Sequence, residues 1–449
     1  MDAAKYSAYL NYLLNKYDVR GLDVEFLLKV VSTMIEYIDD NILQLMYTDL
    51  YESVYDYSLE LMESEYIDSN ILENIYGLSK EESIKMLESY LKMGLSLVFK
   101  YVMPKRSYNK SYIRSNKINY VKIDNQLEKL KSIIQPEQRS DEWYIFRNST
   151  LTASNIWKVF VSDYSQTQLI LEKCEPLDIN KFKVTNTNNP MHWGQKYEPV
   201  SILYYEYIHN TKVSEFGCIP HKDYSFIAAS PDGIICDGSS KLFGRMLEIK
   251  NVVSREITGI PKMEYWIQMQ LQMEVCNLNE CDLLETKFIQ YTTEEEYRED
   301  KETEYKGVIL QYLKGESPYY IYGPFMLSDL DSEEYKRWED EEKEKNKDLE
   351  LIARLYWKLV KISCVLVLRN KLWFKKVQPM IEIFWNNLVK ERESGEYKER
   401  IKKKRKLALE DAKSKSDFPT GGCLINPALF NKEEKAENVI ISVNTEVKI

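Results

Sequence analysis

Ser230-Pro231-Asp232-Gly233, then Met246-Leu247-Glu248-Ile249-Lys250-Asn251-Val252-Val253: this pair of runs decides the fold. Pro, Asp and Gly favour turns, so residues 231–233 read as a turn ending a strand over Phe226–Ala229, which resumes at Ile234–Cys236. Asp237-Gly238-Ser239 signals a hairpin turn, and Met246–Val253 follows as the next strand. Side chains alternate across a strand, so Glu248 and Lys250 share one face. Their apolar neighbours imply burial, and an unpartnered buried charge is costly. A shared metal site would supply partners, since hard cations take oxygen ligands. The bland alternatives are an ordinary turn aspartate at Asp232 and a surface cross-strand pair at Glu248 and Lys250.

Upstream, Trp193-Gly194-Gln195-Lys196-Tyr197-Glu198 opens a helix running to about His209. Val213–Ile219 has strand character. Farther back, Arg147 and Ser154 stand seven residues apart and can face one site, with Ser154 capping the next helix. Downstream, Tyr265–Val275 reads as a helix on which Gln268 and Gln272 share a face at i, i+4, while Gln270 points elsewhere. Lys287–Tyr291, Gly307–Tyr312 and Tyr319–Gly323 read as further strands. The fold class is therefore α/β, a mixed central sheet flanked by helices.

Five segments are expected: an acidic helical domain over 1–103, a basic linker over 104–120, the core over 121–327, a helical extension over 328–411 and a tail over 412–449. In the first, apolar residues recur at helical spacing in Tyr9–Leu14, Val24–Ile38 and Ile84–Phe99, and Ser79 with Glu82 forms a capping-box pattern. The linker carries five Lys/Arg and no acid, with Tyr108 and Tyr112 between them, a pattern suited to phosphates and bases or to plain solubility. In the extension, Leu351–Leu368 reads as a helix apolar on one face, and Pro379 opens another. Lys398–Lys406 is a basic run that fits a nuclear-import signal, a phosphate-binding patch or a solvated helix end.

The net charge of −10 looks unsuited to a nucleic-acid enzyme until it is located. Residues 1–100 hold 18 acids against 8 bases, whereas the remainder holds 53 of each. A basic channel can sit on that neutral remainder. The seven cysteines form no C-x-x-C pair, which points to free thiols in a reducing compartment. No apolar run is long enough to span a membrane, and the N-terminus lacks the pattern of a signal peptide. The expected location is intracellular, cytoplasmic or nuclear in a host cell, and not secreted.

Pro231-Asp232 with Glu248-Ile249-Lys250 matches the PD-(D/E)xK nuclease motif. With R-x6-S before it, W-G-Q-K-Y-E, S-P-D-G, L-E-I-K and Q-x-Q-x-x-M in this order, the stretch from Gln138 to Tyr291 resembles the phage lambda-type exonucleases, the YqaJ viral recombinase family. One departure is Asn251-Val252, where the family often has Cys-Pro, a change in packing more than in chemistry. The resemblance implies a restriction-endonuclease-like core and a Mg²⁺-dependent 5′→3′ exonuclease on double-stranded DNA ends, with Mn²⁺ as a substitute ion. Asp232, Glu248 and the Ile249 carbonyl would hold metal. Glu198 would support a second ion or the waters of the first. Lys250 would orient and help deprotonate the attacking water, Gln270 would position nucleophile or substrate, and Arg147 and Ser154 would bind the 5′ phosphate. It further implies a single-strand annealing protein as partner and a homo-oligomer, trimeric in relatives. Two other readings compete: a structure-dependent endonuclease on the same core, and a non-catalytic DNA-binding scaffold. The intact acids and lysine speak against the scaffold.

Overall fold

The acidic quarter of the chain is helical because its apolar residues repeat at helical spacing. It holds α1 (Val24–Asp40), α2 (Leu50–Met62), α3 (Ile71–Tyr76) and α4 (Lys80–Leu97). Phe26, Val30, Met34 and Ile38 form the buried stripe of α1. Asp23 caps α1 by accepting from the Phe26 amide at 2.9 Å, and Ser79 with Glu82 closes the expected capping box on α4. Where α1 and α4 cross, a Cβ on Gly94 would stand 2.8 Å from Val30 Cγ1, so the close approach requires glycine. These are features of a computed structural model that describes residues 11–13, 15–17, 23–113, 117–136, 140–179, 189–315 and 317–400. The chain divides into two units, Met1–Leu388 and Val389–Ile449.

The basic stretch after the helical quarter is tied down along its described part. Arg106 Nε donates to the Met46 carbonyl at 3.2 Å, and Trp266 Nε1 donates to the Arg106 carbonyl at 3.0 Å. Tyr108 exchanges two backbone hydrogen bonds with Leu366, each 2.8 Å.

The core follows in chain order. First come α5 (Tyr120–Ser132), α6 (Asp141–Asn148), β1 (Leu151–Thr152), α7 (Lys158–Val161), α8 (Asp163–Cys174) and α9 (Pro190–His209). Then come β2 (Val213–Ser214), β3 (Ile219–Pro220), β4 (Ile227–Ala229), β5 (Gly233–Ile235), β6 (Met246–Asn251) and α10 (Met263–Cys276). The rest is β7 (Glu280–Gln290), α11 (Glu294–Glu299), β8 (Lys306–Lys314), β9 (Ser317–Tyr322), α12 (Glu333–Lys345), β10 (Glu350–Leu368) and α13 (Lys371–Ser394). Seven strands form one sheet in the order β2-β5-β6-β7-β10-β8-β9, and β1-β4-β3 form a second. In the large sheet β6 and β7 are parallel and every other pairing is antiparallel. The fold is thus the expected mixed α/β core.

The principal correction is Leu351–Leu368, expected as a helix and found as the 19-residue strand β10. Leu351, Leu355, Leu359 and Ile362 do recur at helical spacing, but β-branched Val365 and Val367 and two waiting strands decide otherwise. The first half of β10 pairs with β8 and the second with β7, with register irregularities at Leu351/Ala353 and Leu359/Lys361. The extension over 328–411 is therefore not all helical. The strand expected from Lys287 instead begins at Glu280. Its first part is disguised by Glu280, Asp282 and Glu285, acids that are buried because Arg245 and Arg255 pair with them. Ser154 does not cap α7, whose N-cap is Trp157. The chain start, most of Lys398–Lys406 and the tail over 412–449 lie outside the described residues.

Candidate nuclease site

The site forms where β6 is sandwiched between α9 and α10. Leu247 and Ile249 point toward α9 and pack with Tyr205, Ile235, Leu242 and Leu284. Alternation then turns Glu248 and Lys250 to the opposite face, toward α10. Glu248 is fully buried and its carboxylate accepts from two amides and an ammonium. Gln268 Nε2 donates to Oε1 at 2.8 Å, Gln272 Nε2 donates to Oε2 at 2.6 Å, and Lys250 Nζ forms an ion pair with Oε1. Burial opposes the Lys250 charge, yet the Glu248 and Asp232 carboxylates outweigh it and hold the ammonium above its ordinary range. Its Nζ also sits 5.0 Å from the Tyr265 ring centroid.

Asp232 leaves the turn between β4 and β5 and accepts the Ile249 amide at 2.7 Å, which locks the turn against β6. Gly233 lets that turn pass under β2, since a Cβ there would fall 2.0 Å from Val213 Cγ1. The Asp232 carboxyl is held well above the usual range by burial first, then by the charges of Glu248 and Glu198, with Lys250 pulling only partly the other way. A carboxyl whose ionisation is suppressed by neighbouring carboxylates is what a hard divalent cation relieves, and the donors are oxygens. Asp232, Glu248 and Glu198 therefore fit such an ion on chemical grounds.

All three acids and Lys250 line one cavity of about 540 Å³ together with Trp143, Arg147, Ser154, Tyr265 and Gln268. Arg147 lies in the last turn of α6, its guanidinium 4.5 Å from the Trp143 ring centroid. It donates through Nη2 to Ser154 Oγ at 3.4 Å, and Ser154 Oγ lies 3.2 Å from Thr152 Oγ1. The spacing of Arg147 and Ser154 does bring them together, on a wall of the same cavity.

Gln270 is placed elsewhere. It is 1% exposed, donates to the Leu368 carbonyl at 3.0 Å and accepts the Asn370 amide at 2.7 Å, so it ties α10 to the end of β10. Gln268 and Gln272, one helical turn apart, take the position on Glu248. Their shared face was visible in the sequence; that it is the face turned to β6 was not. Asn251, read from the sequence as a packing change, has a hydrogen-bonding role the sequence did not signal. It donates through Nδ2 to the Gly194 carbonyl at 2.7 Å and accepts from Ser201 and Thr286 hydroxyls at 2.7 Å each, fastening the start of α9 to β6. Arg255, paired with Glu285 and 5.5 Å from the Tyr265 centroid, completes the cavity rim.

Residues 142–279 match the family described as YqaJ-like viral recombinase domain. The chain is 32% identical over 359 residues to Uncharacterized protein R354 of Acanthamoeba polyphaga mimivirus, with 70% of this chain and 63% of that protein covered. The match thus spans less than two thirds of that relative's length. Among solved structures, an alkaline exonuclease (LHK-Exo) from Laribacter hongkongensis is similar at 19% identity and a TM-score of 0.34, covering 58% of this chain and 98% of that one. The same enzyme in complex with dAMP gives 19% identity and a TM-score of 0.33 over the same shares.

Proposed function

We propose that the chain is a divalent-metal-dependent deoxyribonuclease that resects double-stranded DNA 5′→3′ from its ends, a reading supported by the match of residues 142–279 to the YqaJ-like viral recombinase domain. One observation carries this reading: Asp232, Glu248 and Lys250 converge on a cavity whose wall also bears Arg147 and Ser154. Phosphodiester hydrolysis requires neutralising the phosphate, generating hydroxide near neutral pH and stabilising a leaving alkoxide. A bound Mg²⁺, or Mn²⁺ in its place, supplies Lewis acidity for those demands. Asp232 and Glu248 would hold it, with the Ile249 carbonyl and Glu198 completing the donors. Lys250, kept protonated by its neighbours, orients the nucleophilic water and meets the charge developing on the phosphate. Gln268 and Gln272 fix the Glu248 carboxylate so that its geometry does not depend on the ligand. Arg147, its plane held against Trp143, offers a fork of donors to a terminal phosphate, with the Ser154 hydroxyl beside it. The 3′ strand left by resection is the substrate of a single-strand annealing partner in viral-type recombination or repair.

The test uses linear duplex DNA bearing a 5′ phosphate, a covalently closed circle of the same sequence, and Lys250→Ala beside the intact chain. The expected result is Mg²⁺-dependent loss of linear DNA by the intact chain alone. Cleavage of the circle would instead establish an endonuclease, and binding without cleavage of either would establish a scaffold.

A further inference from the structure

The face of the large sheet turned away from Glu248 and Lys250 carries a second group of ligand-type side chains. His209 ends α9, Asp282 lies on β7 and Cys364 on β10, and one potential donor atom from each falls within 4.8 Å of the others. Asp282 is opposite Leu247, and Cys364 opposite Leu284, so both share the α9 face of the sheet. We propose that His209, Asp282 and Cys364 form a structural site for a soft divalent cation, Zn²⁺ by its chemistry, distinct from the oxygen-lined catalytic cavity.

Three features of the surroundings support it. First, the donors are imidazole, thiolate and carboxylate, the set that selects zinc over magnesium. Second, the carboxylate lies in a buried, charged setting. Arg245 is fully buried and pairs with both Glu280, at 2.9 Å, and Asp282, at 3.1 Å. Asp282 is itself fully buried, and a buried carboxylate is stabilised by each cation that reaches it, so a metal there would add to what Arg245 supplies. Arg245 repels that cation less than its proximity suggests, because Glu280 engages its far nitrogens, Nε at 3.2 Å and Nη2 at 2.9 Å. Third, the carboxylate is already oriented. Tyr205 donates its hydroxyl to Asp282 Oδ2 at 2.7 Å, the outer-shell support that metal-binding carboxylates have. His209 and Glu198 are separated by about 16 Å along α9, from 1.5 Å per residue. A cation here would pin the C-terminal end of that helix to β7 and β10, and so steady the helix that carries Glu198.

The experiment uses the full chain, stripped of metal with a chelator and titrated with Co²⁺, then Zn²⁺. A thiolate-to-cobalt charge-transfer absorption is expected, displaced by Zn²⁺, with a rise in the thermal unfolding midpoint. The band should vanish in Cys364→Ser and His209→Gln and persist in Asp232→Asn, where the catalytic acids are disturbed. In the unmutated chain, Zn²⁺ should slow alkylation of Cys364, read by peptide mass spectrometry, without slowing that of half-buried Cys236. This second readout stands if either variant fails to fold. Absence of the band from the intact chain, its survival in Cys364→Ser, or Cys364 alkylation indifferent to Zn²⁺ would overturn the proposal.

Discussion

Gln270→Met and Gln268→Met should have opposite consequences, although the two residues lie two positions apart on α10. Methionine nearly conserves the volume of glutamine and removes its polar group. At Gln270 the change strands the Leu368 carbonyl and the Asn370 amide, which this side chain meets at 3.0 and 2.7 Å. An orphaned buried group costs about 1–3 kcal/mol, so the pair gives a loss of about 2–6 kcal/mol. At Gln268 the change removes a 2.8 Å hydrogen bond to the buried Glu248 carboxylate. Bonds to charged groups are worth about 1.5–3 kcal/mol. Here that loss should surface as an outer-shell defect, a metal requirement weakened by about 10–100-fold. Urea unfolding monitored by tryptophan fluorescence gives the stabilities. Mg²⁺ titration of linear-DNA degradation, normalised to folded protein, gives the catalytic side. A Gln270→Met protein of ordinary stability but no activity, beside an unaffected Gln268→Met, would refute the assignment of Gln268 to the site and Gln270 to the frame.

Asn251→Ala breaks three 2.7 Å hydrogen bonds that fasten α9 to β6. It should raise the Mg²⁺ needed for half-maximal activity by about tenfold, measured by the same titration. Arg147→Ala should abolish the preference for 5′-phosphorylated over 5′-hydroxyl ends, a loss of about 1.5–3 kcal/mol in kcat/KM for the phosphorylated substrate alone. His221 accepts the amides of Asp223 at 3.0 Å and Tyr224 at 3.1 Å on Nδ1, which requires a neutral ring. Burial depresses its pKa, with Arg369 adding to the effect and Glu274 and Asp223 opposing it. The unfolded chain takes up the proton that the native ring refuses, so this contribution is complete above about pH 6.5 and is lost as pH falls below it. Denaturation midpoints of the intact chain should fall as pH drops through that window, and those of His221→Asn should fall less steeply.

The α/β core was legible because its signals are local. Alternation in Met246–Asn251 fixes which side chains share a face, and the turn at Ser230–Gly233 has little choice of conformation. The capping box at Ser79 is likewise a four-residue event. What escaped depends on partners distant in sequence. Leu351–Leu368 carries a helical spacing that only the presence of β7 and β8 overrides. Glu280 reads as a loop acid until Arg245, far upstream, is found against it. Gln268 and Gln270 are chemically identical, and only the rotation of α10 over β6 tells which one meets Glu248. Asn251 was taken as a packing change beside the site; its hydrogen bonds to Gly194, Ser201 and Thr286 make it a clasp.

The position of β10 bears on how this protein is made. Among the described residues it is the last strand in sequence, but it lies between β7 and β8 in the sheet. Until residue 368 has left the ribosome, β7 and β8 each present an unpaired edge, the kind of surface on which chains join one another. The stretch that carries family likeness, 142–279, ends one residue before β7 begins. Evolutionary and folding boundaries therefore differ in this chain. A fragment cut to the family-matched stretch would hold every proposed catalytic residue and none of the strand that closes the sheet, and it should be recovered as aggregate rather than as a minimal enzyme.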